Sequence, residues 1–364
     1  MSNPIQQEAV PEFEFGIYTL GDIVTDCHTG KTISPQQRLD EVIAAAKLAD
    51  EAGLDIFGVG EHHRLDFVIS SVPVVLAAVS QVTRRIKLTS ATTVLSTIDP
   101  VRVFEDFATL DLLSNGRAEI IAGRGAFLES FPLFGYDLED YHRLFAENIQ
   151  LLLELNQHEI INWEGSFRSS LRNAEIAPRP VQHKLPLWVG VGGSPESAEK
   201  AGALGAGLAI AILNGNPAPF KELADSYRRS GVEAGHSLES LKIAITSHGY
   251  IANTTQQALD EFYPYYHSYR NSISPSRDQR YTVSRSEFGQ YAAFDNTLAV
   301  GSPQQIIEKI LYQHELFGHN RFMTQLDIGG LPFSKVASAI ELLATEVAPV
   351  VRREIAKKTS PASL

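Results

Sequence analysis

Short apolar segments typical of strands alternate with amphipathic segments typical of helices along most of this chain. The first pair is the strand segment Phe13–Leu20 and the helix segment Ser34–Gly53, which begins with Ser34 as N-cap and Pro35 in its first turn. About eight such units follow one another. This alternation predicts parallel strands joined by right-handed crossovers. Eight units favour a closed (β/α)₈ TIM barrel over an open doubly wound sheet.

The length of the chain predicts insertions in this barrel. A barrel of this kind needs roughly 250 residues, and the chain has 364. Two stretches fit poorly as plain strand–helix units, residues 157–186 and residues 263–300. We therefore predict one domain over residues 1–364 with insertions at these two places.

Composition narrows the classes of partner. A net charge of −12 disfavours nucleic acid and anionic membranes as partners. There is no apolar run long enough to span a membrane and no basic-plus-apolar leader, so we expect a soluble cytoplasmic protein. Cys27 is the only cysteine, which excludes an internal disulfide and a cysteine-based metal site.

The barrel fold predicts where functional side chains collect, because TIM-barrel sites form at the carboxyl ends of the strands. The segments expected there are Tyr18–Gly21, Glu61–Arg64, Ala91–Thr93, Gly123–Gly125, Gly190–Ser194, Ile212–Gly215, Ser247–His248 and Gln325–Asp327.

The cluster Glu61–Arg64 admits three interpretations. It could bind a metal, but we see no second group of ligands and the spacing is not that of an H-E-x-x-H helix. It could supply an acid–base histidine, since imidazole titrates near neutral pH. It could also be an ordinary loop in which Glu61 pairs with Arg64. On an extended backbone Glu61 and His63 would share one face.

Two glycine-containing segments indicate an anion site. Arg124 lies between Gly123 and Gly125, where the backbone can approach a ligand and the guanidinium can bind phosphate or carboxylate. The segment VGVGGSPES, Val189–Ser197, leads into a helix whose free N–H groups favour an anion. It matches neither the G-x-G-x-x-G pattern nor a Walker loop, so a monophosphate at the barrel mouth is the expected ligand.

Two further predictions concern the walls of the pocket. We expect Leu20, Phe127, Ile212 and Met323 to form an apolar wall. The aromatic stretch Pro264–Arg270 could cap the pocket or be the core-facing side of a helix, and the sequence favours neither.

The motifs AKLADEAGLDIFGVGEHH, RIKLTSATTVLSTIDPVRVFEDFATLDLLSNGRAEIIAGRGAF and LPLWVGVGGSPES together resemble the bacterial-luciferase-like flavin-dependent monooxygenases. The resemblance covers nearly the whole chain and implies a (β/α)₈ barrel with insertions. It further implies reduced FMN as cofactor, supplied by a separate NAD(P)H:flavin reductase. The implied chemistry is activation of O₂ as a flavin C4a-peroxide (a C4a-peroxyflavin), from which one oxygen atom enters a small organic substrate.

The same resemblance suggests roles for particular residues. His62 matches the catalytic histidine beside the flavin, and Ala91–Thr92 matches a non-prolyl cis peptide behind the flavin ring. Arg124 matches a phosphate-binding arginine. Gly193, Ser194 and Ser197 fall where the family binds the same phosphate. The chain departs from luciferase in having GGSPES in place of an acidic residue with a Ser/Thr pair, and Gly123 in place of a cysteine.

Other functions stay open at this point. Relatives of the same fold transfer hydride with a deazaflavin cofactor, and others bind flavin without turnover. A metal-dependent barrel hydrolase is a further possibility, although we expect no metal. The resemblance also implies a homodimer.

Overall fold

Eight parallel strands close into a barrel in the computed structural model of this chain, which describes residues 13–213, 215–272 and 282–359. The barrel strands are β1 (Glu14–Thr19), β2 (Ile56–Val59), β3 (Lys87–Ser90), β5 (Ala118–Gly123), β8 (Leu187–Val191), β9 (Gly207–Ala211), β10 (Ile243–Ile251) and β12 (Arg321–Gln325). Each pairs with the next in parallel, and β12 pairs with β1 to close the ring. The predicted (β/α)₈ TIM barrel is confirmed.

Helices surround the barrel and connect its strands. They are α1 (Pro35–Ala52), α2 (Val72–Val82), α3 (Pro100–Ser114), α4 (Ser130–Phe134), α5 (Tyr141–Gln157), α6 (Pro195–Ala203), α7 (Lys221–Glu233), α8 (Thr255–Ser272), α9 (Arg285–Tyr291), α10 (Pro303–Phe317), α11 (Phe333–Leu342) and α12 (Ala348–Thr359). None of the helices in the described ranges is long and apolar enough to span a membrane.

Several helix ends follow directly from the local sequence. The Ser34 hydroxyl accepts the Gln37 N–H at 3.1 Å, and the Asp99 carboxylate accepts the Val101 N–H at 2.8 Å. Asn115, the residue that follows helix α3, caps it with a left-handed φ of 59°.

The two stretches that fitted poorly have different structures. Residues 157–186 contain a two-stranded antiparallel sheet of β6 (Ile160–Trp163) and β7 (Leu171–Glu175), which does not join the barrel. Residues 263–300 run from the middle of α8 through α9 into β11 (Ala299–Gly301), which pairs with β10; residues 273–281 lie outside the described part. The single domain over 1–364 stays a prediction.

Charged side chains fill the amino-terminal end of the barrel. Arg321 is 1% exposed, and its guanidinium contacts Glu119 and Glu14, each at 2.7 Å. It also lies 4.2 Å from the Trp188 ring, and Lys87 pairs with both carboxylates. With this end filled, the opposite end of the barrel is where a ligand can enter.

Candidate functional site

A cavity of about 1200 Å³ opens at the carboxyl ends of the barrel strands. All eight barrel strands, or the segments directly after them, contribute to its lining: Tyr18, Leu20, Glu61, His62, His63, Ala91, Thr92, Gly123, Arg124, Phe127, Gly190, Gly192, Gly193, Ser194, Ala209, Ala211, Leu213, Thr246, His248 and Gln325. The barrel mouth therefore gathers most of the segments that the fold rule pointed to.

The predicted apolar wall is half correct. Leu20 and Phe127 line the cavity, but Ile212 does not. Ile212 lies between Ala211 and Leu213, which do face the cavity, and side chains alternate along an extended segment. Ile212 therefore points outward into the buried layer between barrel and helices.

The prediction that Met323 lines the cavity is also wrong. It lies two residues before Gln325 on β12, on the same face but one layer deeper, where it packs inside the barrel. The stretch Pro264–Arg270 is both a core face and a cavity wall. It belongs to α8, whose Tyr265 and Tyr266 are buried in the core, whereas Tyr269 and Arg270 line the cavity.

His62 is held by a carboxylate from a different segment. Its Nδ1 lies 3.1 Å from Glu129 Oε1, and its ring packs on Phe67 and Phe127 at centroid distances of 4.3 and 4.6 Å. Burial alone raises the pKa of Glu129, but hydrogen bonds from His62 and from the His63 N–H outweigh it and leave that pKa lowered. An ionised carboxylate only accepts, so Nδ1 carries the proton and Nε2 is the nitrogen left for proton exchange.

Glu61 and His63 share one face, as the strand geometry predicts. His63 Nε2 lies 3.8 Å from Glu61 Oε1, and this carboxylate raises the pKa of His63. The same Glu61 oxygen accepts the Val94 N–H at 3.1 Å. Arg64 pairs with Asp66 in a two-bond contact at 2.9 and 2.6 Å, so the interpretation that pairs Arg64 with Glu61 is wrong.

The peptide bond between Ala91 and Thr92 is cis, where the family resemblance implied one. It separates β3 from the short strand β4 (Thr93–Val94) and lines the cavity. A Cβ added to Gly123 would lie 2.6 Å from Thr92 Oγ1. The Thr92 side chain thus occupies the space that a larger residue at position 123 would need, which explains the glycine found there.

Arg124 directly follows strand β5, and its side chain lies beside the first turn of helix α6. Its Nη2 donates to Ser197 Oγ at 2.9 Å, and its Nη1 lies 3.0 Å from His142 Nδ1. The guanidinium lies 5.5 Å from the centre of the Tyr141 ring. These contacts hold a cation at the cavity wall beside a hydroxyl donor.

The first turn of α6 completes an anion-binding arrangement. Ser194 is its N-cap, with Oγ accepting the Ser197 N–H at 3.3 Å. Beside Gly192 and Gly193 the space is open, since a Cβ built on either meets no heavy atom within 4 Å. A guanidinium, a hydroxyl, free backbone N–H groups and open space together fit a phosphate group.

His248 and Gln325 are polar lining residues to which the strand-end rule gave no role. His248 Nδ1 and both amide atoms of Gln325 have no hydrogen-bond partner among the described residues. Burial lowers the pKa of His248 to about 3, and Arg270 adds to the effect. Glu129 was missed altogether, because nothing in its local sequence links it to His62.

Within the described ranges, no group of three or more His, Cys, Asp or Glu side chains is placed to hold a metal ion. A phosphate-bearing planar cofactor, in contrast, fits the residues present. The phosphate site lies on one wall, and the cavity volume is ample.

Comparison with known proteins agrees with the fold. Residues 13–320 match the family model for luciferase-like monooxygenases. One relative, the oxygenase component of a flavin-dependent trigonelline monooxygenase from Acinetobacter baylyi, is 24% identical over 358 residues, covering 92% of this chain and 94% of that protein.

Two solved structures share the fold. The oxygenating constituent of 3,6-diketocamphane monooxygenase from Pseudomonas putida, in complex with FMN, has a TM-score of 0.73 at 19% identity and covers 93% of this chain and 98% of its own. The coenzyme F420-dependent tetrahydromethanopterin reductase from Methanopyrus kandleri has a TM-score of 0.72 at 19% identity. The match covers 93% of this chain and 99% of the reductase chain.

Proposed function

Because this chain belongs to the luciferase-like monooxygenase family and is a flavin-dependent oxidoreductase, we propose that it uses reduced FMN and O₂ to oxygenate a small organic substrate. One observation carries the proposal. A single cavity is lined on one side by the His62–Glu129 pair and on another by Arg124 beside the first turn of α6. An acid–base group and a phosphate site therefore face the same space.

In this proposal the phosphate of FMN binds to the Arg124 guanidinium, the Ser197 hydroxyl and the backbone at Gly193 and Ser194. The guanidinium is already directed to Ser197 at 2.9 Å, so it is preorganised for an anion at this point. The backbone of Ala91–Thr92, which lines the same cavity, supports the ring system of the flavin.

His62 exchanges the proton that oxygen transfer requires. When bound beside His62, reduced flavin would supply the two electrons with which O₂ gives one oxygen atom to the substrate and one to water. Glu129 keeps the imidazole in one orientation, with Nδ1 protonated and Nε2 toward the reaction. The rings of Phe67 and Phe127 shield it from bulk water.

Two partners belong to the proposal. A separate NAD(P)H:flavin reductase supplies reduced FMN, and the name of the Acinetobacter relative as an oxygenase component supports a two-component system. A second copy of this chain forms a homodimer, which light scattering of the purified protein tests.

A deazaflavin-dependent oxidoreductase is the second candidate. The F420-dependent reductase from Methanopyrus kandleri matches 93% of this chain with a TM-score of 0.72. The FMN-bound structure matches 93% with a TM-score of 0.73. The phosphate site and the acid–base pair serve either cofactor, so cofactor binding decides between them.

The test is an anaerobic titration of the purified protein with oxidised FMN, reduced FMN and reduced F420, followed by an oxygen pulse. We expect reduced FMN to bind most tightly and to reoxidise slowly when bound. His62→Ala should change that reoxidation, whereas His158→Ala should not, because His158 is exposed on the surface.

Three results would contradict the proposal. Binding of F420 alone would establish the deazaflavin candidate. If FMN binds but its rate of reoxidation is the same in wild type and His62→Ala, the chain would be a flavin-binding protein without turnover. Binding of neither cofactor would remove both flavin functions.

A further inference from the structure

Two buried polar side chains on neighbouring strands face the cavity without partners. His248 on β10 and Gln325 on β12 are paired in register, and they are 4% and 0% exposed. Among the described residues, no hydrogen bond reaches His248 Nδ1 or either amide atom of Gln325. Buried polar groups are normally paired, so side chains kept in this state mark a position where a ligand completes the bonding.

These two residues lie away from the proposed cofactor groups. The cofactor groups follow β3, β5 and β8. In the closed barrel, β9 separates β10 from β8, whereas β1 and β2 separate β12 from β3. The cavity wall at His248 and Gln325 is therefore available to a second molecule when the cofactor occupies its own side.

The two unpartnered side chains themselves, His248 and Gln325, are electrically neutral. Burial lowers the pKa of His248 to about 3 and Arg270, on α8, opposes protonation further, so the imidazole is uncharged. The hydroxyls of Tyr18 and Tyr269, which also line the cavity, have pKa values raised by burial and stay protonated. The side chains of His248, Gln325, Tyr18 and Tyr269 offer only neutral donors and acceptors, while the charged Arg270 guanidinium also lines the cavity.

Gln325 sets the pattern that a ligand must match. Its amide has one carbonyl acceptor and an NH₂ donor on adjacent atoms, and a neutral imidazole adds a single donor or acceptor. A ligand group with an N–H next to a C=O satisfies both ends of the glutamine amide at once. A ketone would leave the carbonyl of Gln325 unpaired, and a carboxylate would meet it as a second acceptor.

We infer that His248 and Gln325 bind the head group of the substrate, and that this head group is an uncharged carboxamide or lactam. The inference rests on the proposed function, which assigns the opposite side of the cavity to the flavin. Leu213, Phe220 and Tyr291 line the same cavity, so the rest of the substrate is an apolar or aromatic body.

The experiment measures binding of three probes to the full chain by calorimetry. Benzamide has both a donor and an acceptor, acetophenone has the acceptor alone, and benzoate has two charged acceptors. We expect benzamide to bind about tenfold more tightly than either of the others, the effect of leaving one buried polar group unpaired.

Gln325→Met should abolish the preference for benzamide, because methionine keeps the length of the side chain without its amide. The matched control is Gln313→Met, which removes a glutamine that is 1% exposed on α10 and does not line the cavity. His248→Leu repeats the test from the neighbouring strand if Gln325→Met fails to fold.

FMN titration of the same proteins separates the inference from the proposed function. Equal binding of the three probes, tighter binding of benzoate, or no probe binding would overturn the head-group site. A Gln325→Met variant that loses affinity for FMN would assign the glutamine to the cofactor and also overturn it. A wild-type protein that prefers benzamide but binds no flavin would support the site and remove the proposed function.

Discussion

Replacing Arg124 by alanine should weaken the binding of FMN and leave the binding of riboflavin unchanged. Riboflavin has the same ring system and ribityl chain as FMN but no phosphate. In the structure the Arg124 guanidinium is directed to Ser197 at 2.9 Å and stacks over Tyr141, at the N-terminus of α6. If this is the phosphate site, the effect of the substitution depends on the presence of that phosphate.

The size of the effect follows from the contacts that remain. The alanine variant keeps the Ser197 hydroxyl and the backbone N–H groups at the start of α6, and loses one cation. A hydrogen bond to a charged group contributes about 1.5–3 kcal/mol. Since 1.4 kcal/mol is tenfold in affinity, we expect the Kd for FMN to rise roughly 10- to 150-fold.

Quenching of flavin fluorescence gives both constants in one assay. Arg143→Ala is the control, because Arg143 is an exposed arginine on α5 that pairs with Asp140 and does not line the cavity. Arg124→Lys should fall between wild type and alanine, since lysine keeps the charge without the planar fork. Equal losses for FMN and riboflavin, or no loss for FMN, would refute the assignment.

Three further predictions concern activity and stability. Glu129→Gln should slow oxygenation about tenfold in steady-state oxygen consumption, because His62 loses a charge-assisted hydrogen bond; an unchanged rate would contradict this. Arg321→Met should lower the free energy of unfolding by about 3–5 kcal/mol in urea, because the buried Glu119 loses its nearest cation and keeps only Lys87, at 3.4 Å. The double variant with Glu119→Leu should recover part of the loss. Burial lowers the pKa of His319 well below 6.5, so this side chain takes up a proton only on unfolding. The free energy of unfolding should therefore fall by about 1.4 kcal/mol per pH unit below pH 6.5. Urea unfolding of His319→Phe should show a smaller fall between pH 7 and pH 5 than wild type.

The fold could be predicted because its signals are local. The predicted N-cap Ser34 precedes a proline, and helix α1 begins directly after it. The barrel then follows from counting strand–helix units. The antiparallel pair β6 and β7 was not predicted as such, because its pairing joins segments without a short turn signal between them.

Contacts in the site could be predicted only where both residues lie in one short segment. Glu61 and His63 share a face because of strand geometry, which two residues suffice to specify. Glu129 reaches His62 across 67 positions of sequence, and His248 meets Gln325 only after β10 and β12 pair. Such contacts depend on the register of a closed barrel, and no local pattern encodes it.

The closure of the barrel by its first and last strands has a consequence for synthesis. Glu14 on β1 lies opposite Arg321 on β12, and the ion pair between them joins the first and the last strand of the barrel to be made. Until the ribosome has released β12, the nascent sheet keeps two unpaired edges, and Glu14 and Glu119 lack Arg321. Exposed edges promote association with other chains. The barrel therefore stays open until β12 has been made, and until then its strand edges are exposed to association with other chains.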